Sequence, residues 1–349
     1  MAFPVTRRQS EWVRKPARYA ARVAVLGAVM GLVAELSASQ SAAQASSLIA
    51  VSNEASHSVT LIDARTLKVV RTITVPQRPR GIEFTPNGRN LFVALSDPQL
   101  NTTGAGDGIV SIDLARLKIT AMFPAGTDPE RFAITPDGKR LYAATEYGSS
   151  ASATDIATRK LIATLVVGIE PEGVAVSPDG KWVYVTAETS NSVSVIDTRL
   201  NKVVANLLVD VRPRAAAFSP DGKRAYVTAE IGGTLSFIDT RTHTITKVIP
   251  LEGRQGKPVG VVASPDGRWV YVANGNANVV SVVDAASGAV IGRIRVGRRP
   301  WGIAVSRDGR TLYTADGLSD QISVIDVASR RVRATVKVGK QPWGVVVSP

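Results

Sequence analysis

The sequence predicts an all-β fold, a seven-bladed β-propeller of four-stranded antiparallel blades, on three observations. Proline opens a recurring unit at Pro79, Pro129, Pro171, Pro213, Pro258, Pro300 and Pro342, at spacings of 50, 42, 42, 45, 42 and 42 residues. A repeat of that length with four strands per unit is the mark of a propeller. Within each unit, short apolar runs alternate with period 2. Residues 171–210 carry four of them, GVAVS, WVYVTA, SVSVID and VVANLLV, with the Val, Ile and Tyr content of half-buried strands. Finally, the third run of every unit ends in aspartate, at Asp63, Asp113, Asp155, Asp197, Asp239, Asp284 and Asp326.

Taken in order, residues 1–45 precede the repeats. Arg7, Arg8, Arg14, Lys15, Arg18 and Arg22 form a basic region, Val23 to Ala34 is apolar, and Ala43-Gln44-Ala45 is a small-x-small cleavage pattern. This is the pattern of a secretory signal peptide, its apolar run too short for a stable membrane span. It predicts export to the periplasm with no transmembrane segment after cleavage. Arg7-Arg8 raises a twin-arginine route, but apolar residues do not follow it directly, so general secretion is expected.

The propeller is expected over residues 46–349. It starts out of phase, since SLIAVSN, SVTLID and VVRTITV (residues 47–75) are strands two to four of a unit without a first. The missing strand is PWGVVVSP, the last eight residues of the chain. Pairing the two ends closes the ring and leaves no open sheet edge. Between strands one and two, turns such as SPDGK place proline and a positive-φ glycine as a tight hairpin requires. The strand-three aspartates are expected to accept backbone N–H groups in the next turn. Tyr142, Tyr184, Tyr226, Tyr271 and Tyr313 recur at one repeat position and read as packing between blades.

Composition excludes several chemistries. With no cysteine there are no disulfides, no thiolate metal sites and no c-type haem attachment. Only His57 and His243 are present, so histidine-based metal or haem ligation is not expected. Loss of residues 1–45 removes six basic and two acidic side chains and lowers the formal charge from +13 to +9, still clearly basic.

Segments such as LYAATE, WVYVTAE, AYVTAE and WVYVAN, each after P-D-G and most of them before V-S-V-I-D-like runs, resemble YVTN-repeat propellers. GTDPERFAITPDG, VGIEPEGVAVSPDGK, LVDVRPRAAAFSPDGK, AEIGGTLSFIDT and VGRRPWGIAVS are similar to the β-propeller proteins associated with PQQ-dependent catabolism. The resemblance spans residues 48–349. It implies a context of quinoprotein alcohol or aldehyde oxidation, with a periplasmic quinoprotein dehydrogenase or a transport component as partner. No enzyme activity follows from it. The likeness to seven-bladed lactonases is architectural, because an acid, base and arginine set cannot be placed on matching positions.

Strand direction puts the loops after strands two and four on one face, here called the top. Both length anomalies fall there, in SDPQLNTTGAGDG (Ser96 to Gly108) and LEGRQGKP (Leu251 to Pro258). Insertions on one face of a repeat array mark a binding face. The residue after each opening proline is expected at the mouth of the central channel: Arg80, Glu130, Glu172, Arg214, Val259, Trp301 and Trp343. Glu146, Glu188 and Glu230 follow strand two on three successive blades, with Asp316 nearly in register. Basic residues after strand four include Arg78, Arg212, Lys257, Arg298 and Arg299. The expectation is an acidic arc facing basic residues and two neighbouring tryptophans. Such a funnel suits a small anionic ligand, PQQ foremost, bound non-covalently by a monomer, or a protein partner. A hydrolase or lyase working in the same funnel is the alternative.

The opposite face carries many basic turn residues, among them Arg159, Lys160, Lys181 and Lys202, with Trp182 and Trp269 between. Lysine and arginine after Asp-Gly are ordinary hairpin chemistry. Single-stranded nucleic acid or an envelope surface is therefore a third reading, with binding expected to be weak and to collapse with salt. His57 in a top loop lacks a partner nucleophile and reads as a bystander. Asp97, Asn101 and Asp107 match no known calcium loop spacing, and no metal site is expected.

Overall fold

A computed structural model describes residues 1–2, 47–97 and 106–349. The leader pattern and Asn101 lie outside the described residues. Among those described, no helix is long and apolar enough to cross a membrane.

Residues Ser47–Pro349 form seven four-stranded antiparallel sheets. Blade 1 runs from the channel outwards as Pro342–Val347, Leu48–Asn53, Ser58–Asp63 and Val69–Thr74. The two ends of the chain pair as expected, Ile49 opposite Val347 and Val51 opposite Val345. Blades 2 to 7 have as innermost strands Arg78–Phe84, Pro129–Ile134, Pro171–Val176, Pro213–Phe218, Pro258–Ala263 and Pro300–Val305. Each innermost strand packs on the next, and Pro342–Val347 packs on Arg78–Phe84 to complete the ring.

Alternation in the strands buries one row of side chains toward each neighbouring blade. Ala50, Leu61, Ile82 and Leu91 thus share one cluster between blades 1 and 2, while Ile49, Tyr313 and Ile322 share one between blades 1 and 7. The repeated tyrosines act as expected. Tyr142 of blade 3 packs with Val174 and Val183 of blade 4, and its hydroxyl donates to Asn201 Oδ1 at 2.7 Å. The turn chemistry also holds. Gly180 takes φ +72° while Asp179 Oδ1 accepts from Ser177 Oγ at 2.6 Å and from the Lys181 N–H at 3.1 Å. All seven strand-three aspartates accept backbone N–H groups of the following turn, as Asp197 does from Arg199 and Leu200.

At the channel the innermost strands approach closely. Two residues after the opening proline, five blades have glycine: Gly81, Gly173, Gly260, Gly302 and Gly344. A Cβ on Gly302 would lie 2.7 Å from the Trp343 carbonyl oxygen, and one on Gly81 equally close to that of Glu130. Glycine here admits the next blade's backbone. The exceptions are Ala215 on blade 5 and Arg131 on blade 3.

Candidate functional site

The residue after each opening proline starts an innermost strand at the top of the channel, and the acidic residues after strand two reach the same place. Arginine organises them into two networks. On blades 1 to 3, Arg78 pairs with Glu54 at 3.4 Å and Asp128 at 3.2 Å. Arg80 pairs with Glu54 at 3.2 Å, with the fully buried Glu130, and with Glu146 at 3.9 Å. On blades 4 and 5, Arg214 pairs with Glu172 at 3.3 Å, with Glu188, and with Glu230 at 3.6 Å. Arg212 Nε adds bonds to Glu188 at 2.6 Å and Glu230 at 3.3 Å, with Lys257 3.9 Å from Glu230.

This corrects the expected arc. The glutamates do not face the arginines across the funnel; they interleave with them and are largely neutralised. Desolvation makes any other arrangement costly, since a buried carboxylate without a cation loses several kcal/mol. Asp316 departs further. It is fully buried inside blade 7, where Ser323 Oγ donates to it at 2.6 Å and Thr314 Oγ1 at 2.7 Å, and burial raises its pKa.

The aromatic side of the mouth comes from blades 7 and 1. The Trp301 and Trp343 ring centres are 6.2 Å apart with 40° between planes. Arg214 and Arg299 each lie 4.9 Å from the Trp301 ring centre, and Arg131 lies 4.5 Å from that of Trp343. The indoles do edge the mouth together, but they already carry guanidinium groups, and Trp343 is 5% exposed rather than a free platform. Beside them is a pocket of about 320 Å³ walled by Glu54, Arg80, Arg214, Arg299, Trp301, Leu318, Gln341 and Trp343. A smaller one of about 190 Å³, with Glu230, Lys257 and Asn278, shares Arg299, Trp301 and Leu318 with it. All ten of Arg80, Glu130, Glu172, Arg214, Arg299, Trp301, Trp343, Glu146, Glu188 and Glu230 thus meet at or immediately around one mouth.

Three titrating groups stand out. Burial, followed by repulsion from Glu172, pushes Glu146 up to about 7, against the pull of Arg80. Burial on the innermost strand of blade 2 pushes Glu83 up to about 8, although the Ile134 N–H donates to it at 3.2 Å. Burial lowers Arg131 to about 10, still charged at neutral pH. Asp128, Glu130 and Glu146 bring carboxylate oxygens within 4.8 Å of one another. Arg78 pairs with the first and Arg80 with the other two, so the trio belongs to the ion-pair network.

Sequence reasoning missed Glu54, Arg131 and Glu83. Reading the repeats as columns exposes all three: Glu54 follows strand two of blade 1 as Glu146, Glu188 and Glu230 follow theirs. Arg131 stands among glycines and one alanine, and Glu83 stands where the other blades have Ala133, Ala175, Ala217, Val262, Ala304 and Val346. In the top insertion Asp107 serves structure, accepting N–H groups from Asp97 at 2.7 Å and Asp128 at 3.0 Å. The basic turns Lys181 and Lys139 pair with aspartates of their own hairpins.

Residues 204–348 match a family model described as a seven-bladed β-propeller lactonase, and residues 36–207 match one described as a choice-of-anchor I domain. No curated protein matches the sequence significantly. Among solved structures, the hydrazine synthase of Kuenenia stuttgartiensis superposes with a TM-score of 0.71 at 25% identity, covering 80% of this chain and 92% of that one. A protein of unknown function from Desulfotomaculum acetoxidans gives 0.73 at 19% identity, covering 87% and 99%. A Bacteroides uniformis protein provisionally assigned as a 6-phosphogluconolactonase gives 0.73 at 17% identity, covering 87% and 100%. The last two likenesses concern the fold alone.

Proposed function

We propose that this propeller is an exported binding protein whose channel mouth takes a small, flat, anionic ligand, with PQQ as the first candidate and quinoprotein-dependent alcohol or aldehyde catabolism as its setting. One observation carries the reading: two indoles and the guanidinium groups of Arg80, Arg214 and Arg299 wall a single pocket of about 320 Å³. That volume is at the lower end of small-molecule sites, and planar polycarboxylates suit stacking plus bidentate guanidinium contacts. Because Arg80 and Arg214 already bind glutamates, the exposed Arg299 is the cation freest to turn toward a ligand. The setting rests on the loop segments that resemble PQQ-associated propellers.

Tryptophan emission tests this. With Trp12, Trp182 and Trp269 replaced by phenylalanine, Trp301 and Trp343 remain as reporters. PQQ is expected to quench them saturably at micromolar protein, beyond correction for its own absorbance. Trp301→Ala is expected to weaken binding by roughly tenfold, the worth of a lost aromatic stack with its buried area. Linear quenching with no heat in calorimetry ends the PQQ reading.

A second reading is favoured by Glu146. A half-buried carboxyl near pH 7, 3.9 Å from Arg80, has the properties of a general base beside an oxyanion-stabilising cation. Hydrolysis of small sugar lactones is the reaction to assay, given the lactonase match. Catalysis by Glu146 predicts a rate that rises through pH 7 and an inflection that vanishes in Glu146→Gln. A wild-type rate equal to the uncatalysed one removes this reading.

A further inference from the structure

Arg131 is one residue further down the innermost strand than the ring of mouth residues, at a position that is glycine in five blades. Its Nε and Nη2 are buried and have no hydrogen-bond acceptor among the described residues. The same holds for the indole Nε1 of Trp301, whereas Arg214 Nε, also short of a hydrogen bond, has Glu230 Oε2 3.6 Å away. These three side chains are linked through the indoles: Arg131 on Trp343, Trp343 beside Trp301, and Arg214 on Trp301. Each buried donor without an acceptor costs on the order of 1–3 kcal/mol, and more where the donor is charged.

The surrounding charges do not supply the acceptor. Glu172 attracts Arg131 and Arg214 repels it. Yet Glu172, Glu188 and Glu230 are already held by Arg214 and Arg212. Arg131 makes no ion pair among the described residues, and unlike the exposed Arg299 it carries that unpaired charge on buried nitrogens. An arginine placed where the fold otherwise selects glycine, with its fork against an indole and its N–H groups unused, has the geometry of an anion receptor.

We infer that the channel throat next to the two indoles is an oxyanion subsite, in which Arg131, assisted by Trp301 Nε1, holds one planar carboxylate or inorganic oxyanion. The subsite deepens the reading of the mouth as an anion-binding pocket and rests on it only for what bears the carboxylate. Either a ligand seated at the mouth sends one carboxylate down to Arg131, or a free anion resides there.

Sodium formate is the probe, titrated into the full-length protein carrying 15N-labelled tryptophan, with ionic strength held constant by a bulky sulfonate. Substitutions Trp301→Phe and Trp343→Phe assign the indole N–H signals. The expected result is a saturable shift of the Trp301 signal, weakened at least tenfold in Arg131→Met and less in Arg131→Lys. Where Arg131→Met fails to give a cooperative melt, Arg131→Gln replaces it, and the wild-type titration decides by itself. An unsaturable drift in the wild type, or the same saturation in a folded neutral variant, overturns the subsite. Repeating the titration with PQQ present separates the two sources. Competition assigns the subsite to a carboxylate of the mouth ligand. Formate binding that PQQ leaves unchanged assigns it to a free anion, and PQQ failing to bind while formate still saturates overturns the mouth reading alone.

Discussion

A chain ending at Lys340 is expected to lose the cooperative unfolding and the solubility of the full protein. The nine residues removed include the whole innermost strand of blade 1, Pro342–Val347. That strand pairs with Leu48–Asn53 over the register from Ile49–Val347 to Asn53–Pro342. It also receives side-chain support, since the Gly344 N–H donates to Ser52 Oγ at 2.9 Å. Trp343 and Val345 are almost fully buried, each worth roughly 1.5–3 kcal/mol. Adding the exposed edge of Leu48–Asn53 and the opened contact with blade 2, the loss approaches the ~5–15 kcal/mol that a whole domain commands. Thermal melting followed by circular dichroism, with size-exclusion chromatography, is the check. A truncated chain that melts cooperatively near the wild-type midpoint and stays monodisperse would show that the ring does not depend on this closure.

That closure was legible because each blade repeats the same local instructions. The Pro178-Asp179-Gly180 turn, the Val183/Val185 alternation and the Asp197 cap each specify geometry within a few residues, and seven copies average out local ambiguity. The out-of-phase start at residue 47 and the final PWGVVVSP then leave one way to complete the count. The mouth was legible to the level of which blade each residue sits on. Repeat position gives the angle around the channel, so Trp301 and Trp343 were expected to be neighbours, and they are.

Radius and depth are what the repeat does not encode. Glu188 follows strand two of blade 4 and Arg214 follows the opening proline of blade 5, yet their long side chains meet over the channel. Interleaving of acid and base is therefore decided by side-chain reach and by the penalty for burying unpaired charge, neither of which has a period. Glu54 escaped notice because the proline that opens its blade, Pro342, lies at the other end of the chain, although Glu54 follows strand two as Glu146, Glu188 and Glu230 do. Arg131 and Glu83 escaped because each is a single departure within an apolar or glycine column, visible when blades are compared position by position and invisible when they are read one after another.

Glu83→Gln is expected to make the protein more stable relative to wild type as pH rises, with the change falling between about pH 4.5 and pH 8. Burial raises this carboxyl from its ordinary 4.5 to about 8. The folded protein thus holds the proton more tightly than the unfolded chain. Stability from that protonated carboxyl is full below pH 4.5, declines as pH rises, and is gone above about 8. At 1.36 kcal/mol per pH unit the wild type gives up as much as ~5 kcal/mol across this window. Glutamine stays neutral throughout and keeps an amide oxygen to accept the Ile134 N–H, which Glu83 Oε2 accepts at 3.2 Å. The other titrating groups, Glu146 among them, are common to both proteins and cancel in the difference. Urea unfolding of both proteins at half-unit steps from pH 5 to pH 9 measures that difference directly. Glu83→Ala serves as the control: it strands the Ile134 N–H, costing about 1–3 kcal/mol that does not vary with pH, and shares only the pH-dependent part with Glu83→Gln. Parallel wild-type and Glu83→Gln curves over the whole range would mean that Glu83 ionises freely in the folded channel.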